Sequence, residues 1–197
     1  MKDVSGTREP EPVLLSPEPK FSSDWSPDGK YISYTVQTKE RGFDVMALPM
    51  TGDKTPVPIA ATKFNELFAR FSPDGKFVAY QSDESGRSEI YLQEFPDAHN
   101  KLQVSTSGGG AAYWRRDGKE LFYRNGPRVM AVSIQTSPTM TIGTPTELFQ
   151  APFAQGVTVR SRLLPSADGQ KFLILASPNR EVSQPASVVL NWTGTLK

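Results

Sequence analysis

The sequence predicts an all-β fold, a propeller of four-stranded antiparallel blades, on three observations. A ten-residue stretch recurs as "WSPDGKYISY" at 25–34, "FSPDGKFVAY" at 71–80 and "WRRDGKELFY" at 114–123. Its turn marker, Asp-Gly, falls at Asp28, Asp74, Asp117 and, in "PSADGQKFLIL", at Asp168, so the spacings are 46, 43 and 51 residues. Each period holds four strand-like runs, and repeats of about 40–50 residues with four strands apiece are the mark of propeller blades.

The repeated unit explains itself locally. Ser26-Pro27-Asp28-Gly29 suits a type I turn, with serine at the first position, proline presetting φ at the second and glycine at the fourth. The aromatic before it, Trp25, Phe71 or Trp114, ends one strand; the apolar run after it begins the next. In the second period the strands read "ELFARFS", "KFVAYQS", "SEIYLQEF" and "KLQVST", and in the third "AAYWRR", "ELFYR", "VMAVSI" and "TELFQ". Asn125-Gly126 joins the middle pair of the third period as a tight hairpin. "STSGGGAAYW" lets the chain cross closely from one outer strand to the next inner strand.

These residues divide the 197-residue chain into a stretch 1–20 and blades 21–62, 63–106, 107–151 and 152–197. Residues 1–34 lie over 47–80 at a constant offset, with Pro10 on Pro56, Pro12 on Pro58 and Trp25 on Phe71. On that register "PVLL", residues 12–15, is expected as the outer strand of a preceding blade. Two arrangements fit: about four blades forming the C-terminal part of a larger propeller of six or more blades, which we favour, or a four-blade ring in which 12–15 completes the last blade.

Composition narrows the function classes. With 22 basic and 21 acidic residues the net charge is +1, which gives no electrostatic basis for nucleic-acid or acidic-lipid binding. No cysteine is present, so disulfides, zinc–thiolate sites and a cysteine nucleophile are excluded. No apolar run approaches the roughly 18 residues of a membrane span, and membrane insertion by this chain is not expected.

The candidate chemistry is sparse. A Ser-His-Asp triad would need His99, the single histidine, which sits in the polar "FPDAHNKLQ" loop, and no Gly-x-Ser-x-Gly elbow exists. The four turn aspartates stand one per blade and cannot converge on an ion; such side chains bond nearby backbone. Asp83 and Glu84 lack the ligand spacing of a calcium loop. Arg115 and Arg116, and Arg160 with Arg162, read as strand-end charges, and "NWT" at 191–193 as strand sequence. Trp25, Phe71, Trp114 and Trp192 are expected to pack between blades. The residue before each of the first three varies, Asp24, Arg70 and Tyr113, and alternation along a strand turns it to the other face. Varied polar residues at one place on a repeated scaffold are where a ligand would be read, so these three are the candidate binding residues. No catalytic residue, metal ligand or cofactor is expected.

The aromatic, Ser-Pro-Asp-Gly-Lys and the "SDESGRSEIYLQEF" run resemble the TolB-type, WD-like propeller repeat over nearly the whole chain. "GGGAAYWRRDGKELFY" and "SVVLNWTGTLK" further resemble the C-terminal propeller of bacterial eukaryotic-like serine/threonine protein kinases. That resemblance implies an extracytoplasmic, periplasmic scaffold or sensor that binds a protein, peptide or envelope ligand. The kinase glycine loop, His-Arg-Asp loop and Asp-Phe-Gly site are absent from this sequence, so phosphoryl transfer is not expected of it. The alternative is the propeller portion of a peptidase-, lyase- or dehydrogenase-like enzyme whose catalytic residues lie outside this chain.

Overall fold

The computed structural model describes residues 9–154 and 163–176, together with the backbone of 187–190. They form four antiparallel sheets in chain order. Blade 1 is β1 (Lys20–Trp25), β2 (Tyr31–Thr38), β3 (Gly42–Pro49) and β4 (Val57–Ala60). Blade 2 is β5 (Glu66–Phe71), β6 (Phe77–Ser82), β7 (Glu89–Glu94) and β8 (Leu102–Gln103). Blade 3 is β9 (Gly110–Trp114), β10 (Glu120–Asn125) and β11 (Arg128–Gln135), with the outer edge of β11 shared by β12 (Thr141–Ile142) and β13 (Thr146–Gln150). Blade 4 shows β14 (Leu163–Pro165), β15 (Lys171–Ile174) and β16 (Ser187–Leu190). The first strands touch from blade to blade, β1 on β5, β5 on β9 and β9 on β14, so they converge as the innermost strands.

The repeated turn closes as its sequence requires. Gly29, Gly75, Gly118 and Gly169 each donate N–H to the carbonyl three residues back at 2.9 Å. The serine hydroxyl bonds the turn aspartate in blades 1, 2 and 4 (Ser26–Asp28 2.7 Å, Ser72–Asp74 2.5 Å, Ser166–Asp168 2.6 Å). Each aspartate accepts the amide two residues on. In blade 3, where arginine replaces serine, Arg115 makes a two-pronged 2.8 Å contact with Asp117 instead. These bonds stabilise the ionised carboxyl and hold Asp28 and Asp117 down at about 2.

Packing is between blades. Alternation sends Val78 and Tyr80 of β6 toward Val45, Ala47 and Ile59 of blade 1. Phe77 and Ala79 go the other way, toward Leu121, Tyr123 and Val132 of blade 3. A third core joins Phe122 and Leu148 of blade 3 to Leu163, Phe172 and Ile174 of blade 4, with Phe122 and Phe172 edge to face at 5.1 Å. The glycine run serves the crossing from β8 to β9. Gly108 has φ +103, and a Cβ on Gly109 would lie 2.4 Å from Ser105 Oγ.

Four sequence expectations meet a different arrangement. Residues 12–15 form no strand. Their counterpart β4 is held by its pairing with β3, and among the described residues no strand pairs with 12–15. Trp25 is 49% exposed and donates Nε1–H to Gly29 O at 3.0 Å, covering its own turn rather than an inter-blade core. Its equivalents Phe71 and Trp114 face the preceding blade; no described blade precedes β1. The tight hairpin of blade 3 has Gly126 (φ +58) and Pro127 at its tip, because Asn125 is itself paired with Arg128. The expected single outer strand "TELFQ" shares its edge with β12. Arg160, Arg162, Asn191 and Trp192 lie outside the described residues.

Two measurements follow. Phe122→Ala empties a site with no solvent exposure and is expected to cost about 3–5 kcal/mol, read from the urea midpoint. The depressed turn aspartates contribute stability above their unfolded value near 3.8 and lose it as pH falls toward about 2. Asp117→Asn is therefore expected to flatten the acid limb of a stability–pH profile, and an unchanged limb would contradict the turn assignment.

Candidate functional site

Asp24, Arg70 and Tyr113 sit at equivalent places on the first strands of blades 1, 2 and 3, and the structure brings them together in one row. Arg70 Nη1 lies 3.5 Å from Asp24 Oδ1. Its guanidinium carbon stands 4.8 Å from the centre of the Tyr113 ring. Each member thus faces the next blade: carboxylate to guanidinium, guanidinium to aromatic face. The other Asp24 oxygen accepts Phe71 N–H at 3.0 Å, across the same blade boundary. Tyr113 itself is only 8% exposed and belongs to the core between blades 3 and 4, so it acts as a platform for Arg70.

The first strands are bulged immediately before this row. Ser22 to Asp24 opposes Tyr34 to Ser33, Leu67 to Arg70 opposes Gln81 to Ala79, and Gly110 to Tyr113 opposes Arg124 to Phe122, one extra residue each time. Phe68 (φ 58) and Ala111 (φ 52), at matching positions in blades 2 and 3, take the left-handed backbone that side chains disfavour. Bulges re-aim side chains, and strain of this kind persists only where the surroundings enforce it. Between the bulges lies a pocket of about 140 Å³ lined by Ser22, Ser23, Phe68, Arg70, Ala111 and Ala112, with Tyr113 at its wall. No sequence signal announced it, since neither phenylalanine nor alanine is a residue that marks a bulge.

Burial pushes the Asp24 carboxyl above its ordinary value, and the Arg70 charge and the Phe71 amide oppose that rise. Burial likewise raises Glu66. Both oxygens of that carboxylate accept from Thr62, one from its amide at 3.3 Å and the other from its hydroxyl.

Other candidates are placed differently. His99 is exposed in the β7–β8 loop, where its carbonyl accepts Glu94 N–H at 3.1 Å. Asp83 accepts Asn65 N–H at 2.9 Å and Asn65 Nδ2 at 2.7 Å, bracing the start of β5, while Glu84 pairs with Lys101. Among the described residues no group of three or more His, Cys, Asp or Glu is disposed to hold a metal ion. A wider open cleft of about 820 Å³ lies beside Pro73, Lys119, Ile134 and Thr141. The carboxylates at its rim, Asp74 and Asp117, are committed to their own turns.

No protein-family model matches the chain, and no curated protein resembles it in sequence. Solved structures do. A protein described as a TolB from Agrobacterium tumefaciens matches with TM-score 0.55 and 19% identity over 68% of this chain and 50% of its own. An oligogalacturonate lyase in complex with manganese matches with TM-score 0.66 and 14% identity over 92% of this chain and 53% of its own. The tricorn protease matches with TM-score 0.55 and 13% identity over 90% of this chain and 17% of its own. The chain spans about half the length of the TolB and lyase structures. The fold is a TolB-like β-propeller. No helix among the described residues is long and apolar enough to cross a membrane.

Arg70→Gln removes the charge that opposes the rise of Asp24. Carboxyl NMR of Asp24 is expected to titrate above the ordinary 3.8 in the native chain and higher still in the variant. An unmoved midpoint would show that the guanidinium does not act on the carboxylate.

Proposed function

We propose that this propeller is a non-catalytic binding module that reads a protein, peptide or envelope ligand at the converging first strands. The observation that carries the reading is the Asp24–Arg70–Tyr113 row, a guanidinium held over an aromatic ring beside a strained pocket. Arg70 binds, Asp24 and Tyr113 position it, and the row contains no nucleophile beside a base. From the sequence resemblance, the module is the extracytoplasmic C-terminal sensor of a receptor-like bacterial serine/threonine kinase. Fold alone does not give function, so this context rests on motif likeness and not on the solved structures.

A photo-crosslinking residue at Ser23, on the pocket wall, is expected to capture a partner in the native host. The same residue at His99 is expected not to. The Ser23 adduct should vanish with Arg70→Gln; equal labelling at both places would remove the site. Native protein isolated with an antibody to the propeller should incorporate phosphate on serine or threonine from ATP, and failure to do so would remove the kinase context. The propeller portion of an enzyme is the second reading, supported by the fit to the lyase over 92% of this chain. Hydrolase, lyase or dehydrogenase turnover by the native protein isolated with the same antibody, with none from the purified 197-residue chain, would favour it.

A further inference from the structure

We infer that the pocket beside Arg70 receives a carboxylate on a short apolar stem, as a glutamate side chain or chain terminus of a peptide presents it. This rests on the first strands being the binding surface and adds the chemistry of what they bind.

The guanidinium is under-used where it stands. Arginine carries five N–H donors in a planar fork. Asp24 is the one carboxylate within 4 Å of it among the described residues. At 3.5 Å the contact is longer than the roughly 2.7–2.9 Å of a charge-assisted hydrogen bond. Asp24 cannot easily close in, because its second oxygen is held by Phe71 N–H in the next blade. Tyr113 backs the guanidinium with its ring, 4.8 Å from the ring centre. The result is a cation whose place is set and whose N–H donors are only partly used.

What lies beside those donors selects the guest. Phe68, Ala111 and Ala112 line the pocket together with the hydroxyl residues Ser22 and Ser23. A space of about 140 Å³ is of the order of a few waters or one small side chain. A planar monoanion matches the fork two oxygens to two N–H groups. A phosphate dianion would meet the Asp24 carboxylate with no second cation among the lining residues to offset it. The Asp24 carboxylate, 3.5 Å from the same guanidinium, shares the cation with the guest and opposes it as a like charge.

The test uses the full 197-residue chain, isotope-labelled, with the Arg70 Nε–H resonance as the readout. The probes are N-acetylglutamate methylamide, its glutamine counterpart and N-acetylalanine with a free carboxyl terminus. A saturable shift of the Arg70 signal is expected with at least one carboxylate probe, and the two probes distinguish a side chain from a terminus. The glutamine probe should bind at least about tenfold more weakly, the loss of one charge-assisted contact. Arg70→Lys keeps the charge without the fork and should lose about tenfold as well. Asp24→Asn removes the like charge and should tighten binding severalfold. Thermal unfolding checks that each variant is folded, and Arg70→Lys serves if Arg70→Gln does not fold. Equal binding of the glutamate and glutamine probes, an Arg70 signal unmoved by either carboxylate, or weaker binding by Asp24→Asn would overturn the inference. An Arg70-dependent crosslink at Ser23 with no carboxylate preference would sink only the ligand class, whereas loss of that dependence would sink the binding surface itself.

Discussion

A blade of this kind cannot stand alone, because both faces of its sheet are apolar. In β6 the consecutive residues Phe77, Val78, Ala79 and Tyr80 are all buried, and alternation commits them in turn to opposite neighbours. Water on either face would expose aromatic and branched side chains worth about 1.5–3 kcal/mol each on burial. The fold is therefore a chain of mutual coverings, each blade completing the one before it. That dependence converts a local repeat into a shared axis, and it places the first strands of successive blades against one another.

Polar bonds then fix the angle at which each blade meets the next. Ser33 donates to Ala69 O at 3.1 Å, Gln93 to Ile59 O at 2.7 Å and Trp114 Nε1 to Arg70 O at 3.2 Å, every one across a blade boundary. Glu89, with no exposed surface, accepts Gly108 N–H at 2.8 Å at the entry to the next blade and also takes the Ser105 hydroxyl and Arg87. Buried polar groups are costly unless paired, so each of these bonds penalises rotation of one blade against another. Asp44, at the matching place in blade 1, is paired through one oxygen with Arg41, while its other oxygen has no partner among the described residues.

The repeat, its turn and its strands are legible in the sequence because they are local. Ser-Pro-Asp-Gly closes from within four residues, and aromatic and branched runs show their period directly. Asp24, Arg70 and Tyr113 could be picked out because the repeat puts them in register. Their contact with one another could not, because the bulges that aim them carry no mark. The positive φ at Phe68 and Ala111 runs against the preference of both residues. Trp25 shows the converse limit. Its place in the repeat is that of Phe71, yet its burial depends on what faces it, and a side chain's environment is not a property of its own segment.

The same reasoning explains why the row is a better candidate than the wider cleft. A binding residue must be held before the ligand arrives, or ordering it subtracts from affinity by about 0.5–1.5 kcal/mol per mobile side chain. Lys119 at the cleft is exposed on a flexible stem, and the carboxylates beside it are spent in their turns. Arg70 is held at its edge by Asp24, across its face by Tyr113 and at its own carbonyl by Trp114. Its restraints come from both neighbouring blades, so the forces that close the blades together also set the guanidinium in place. Preorganisation at this point is a by-product of propeller assembly, and changing Asp24, Arg70 or Tyr113 without unfolding the blades separates the one from the other.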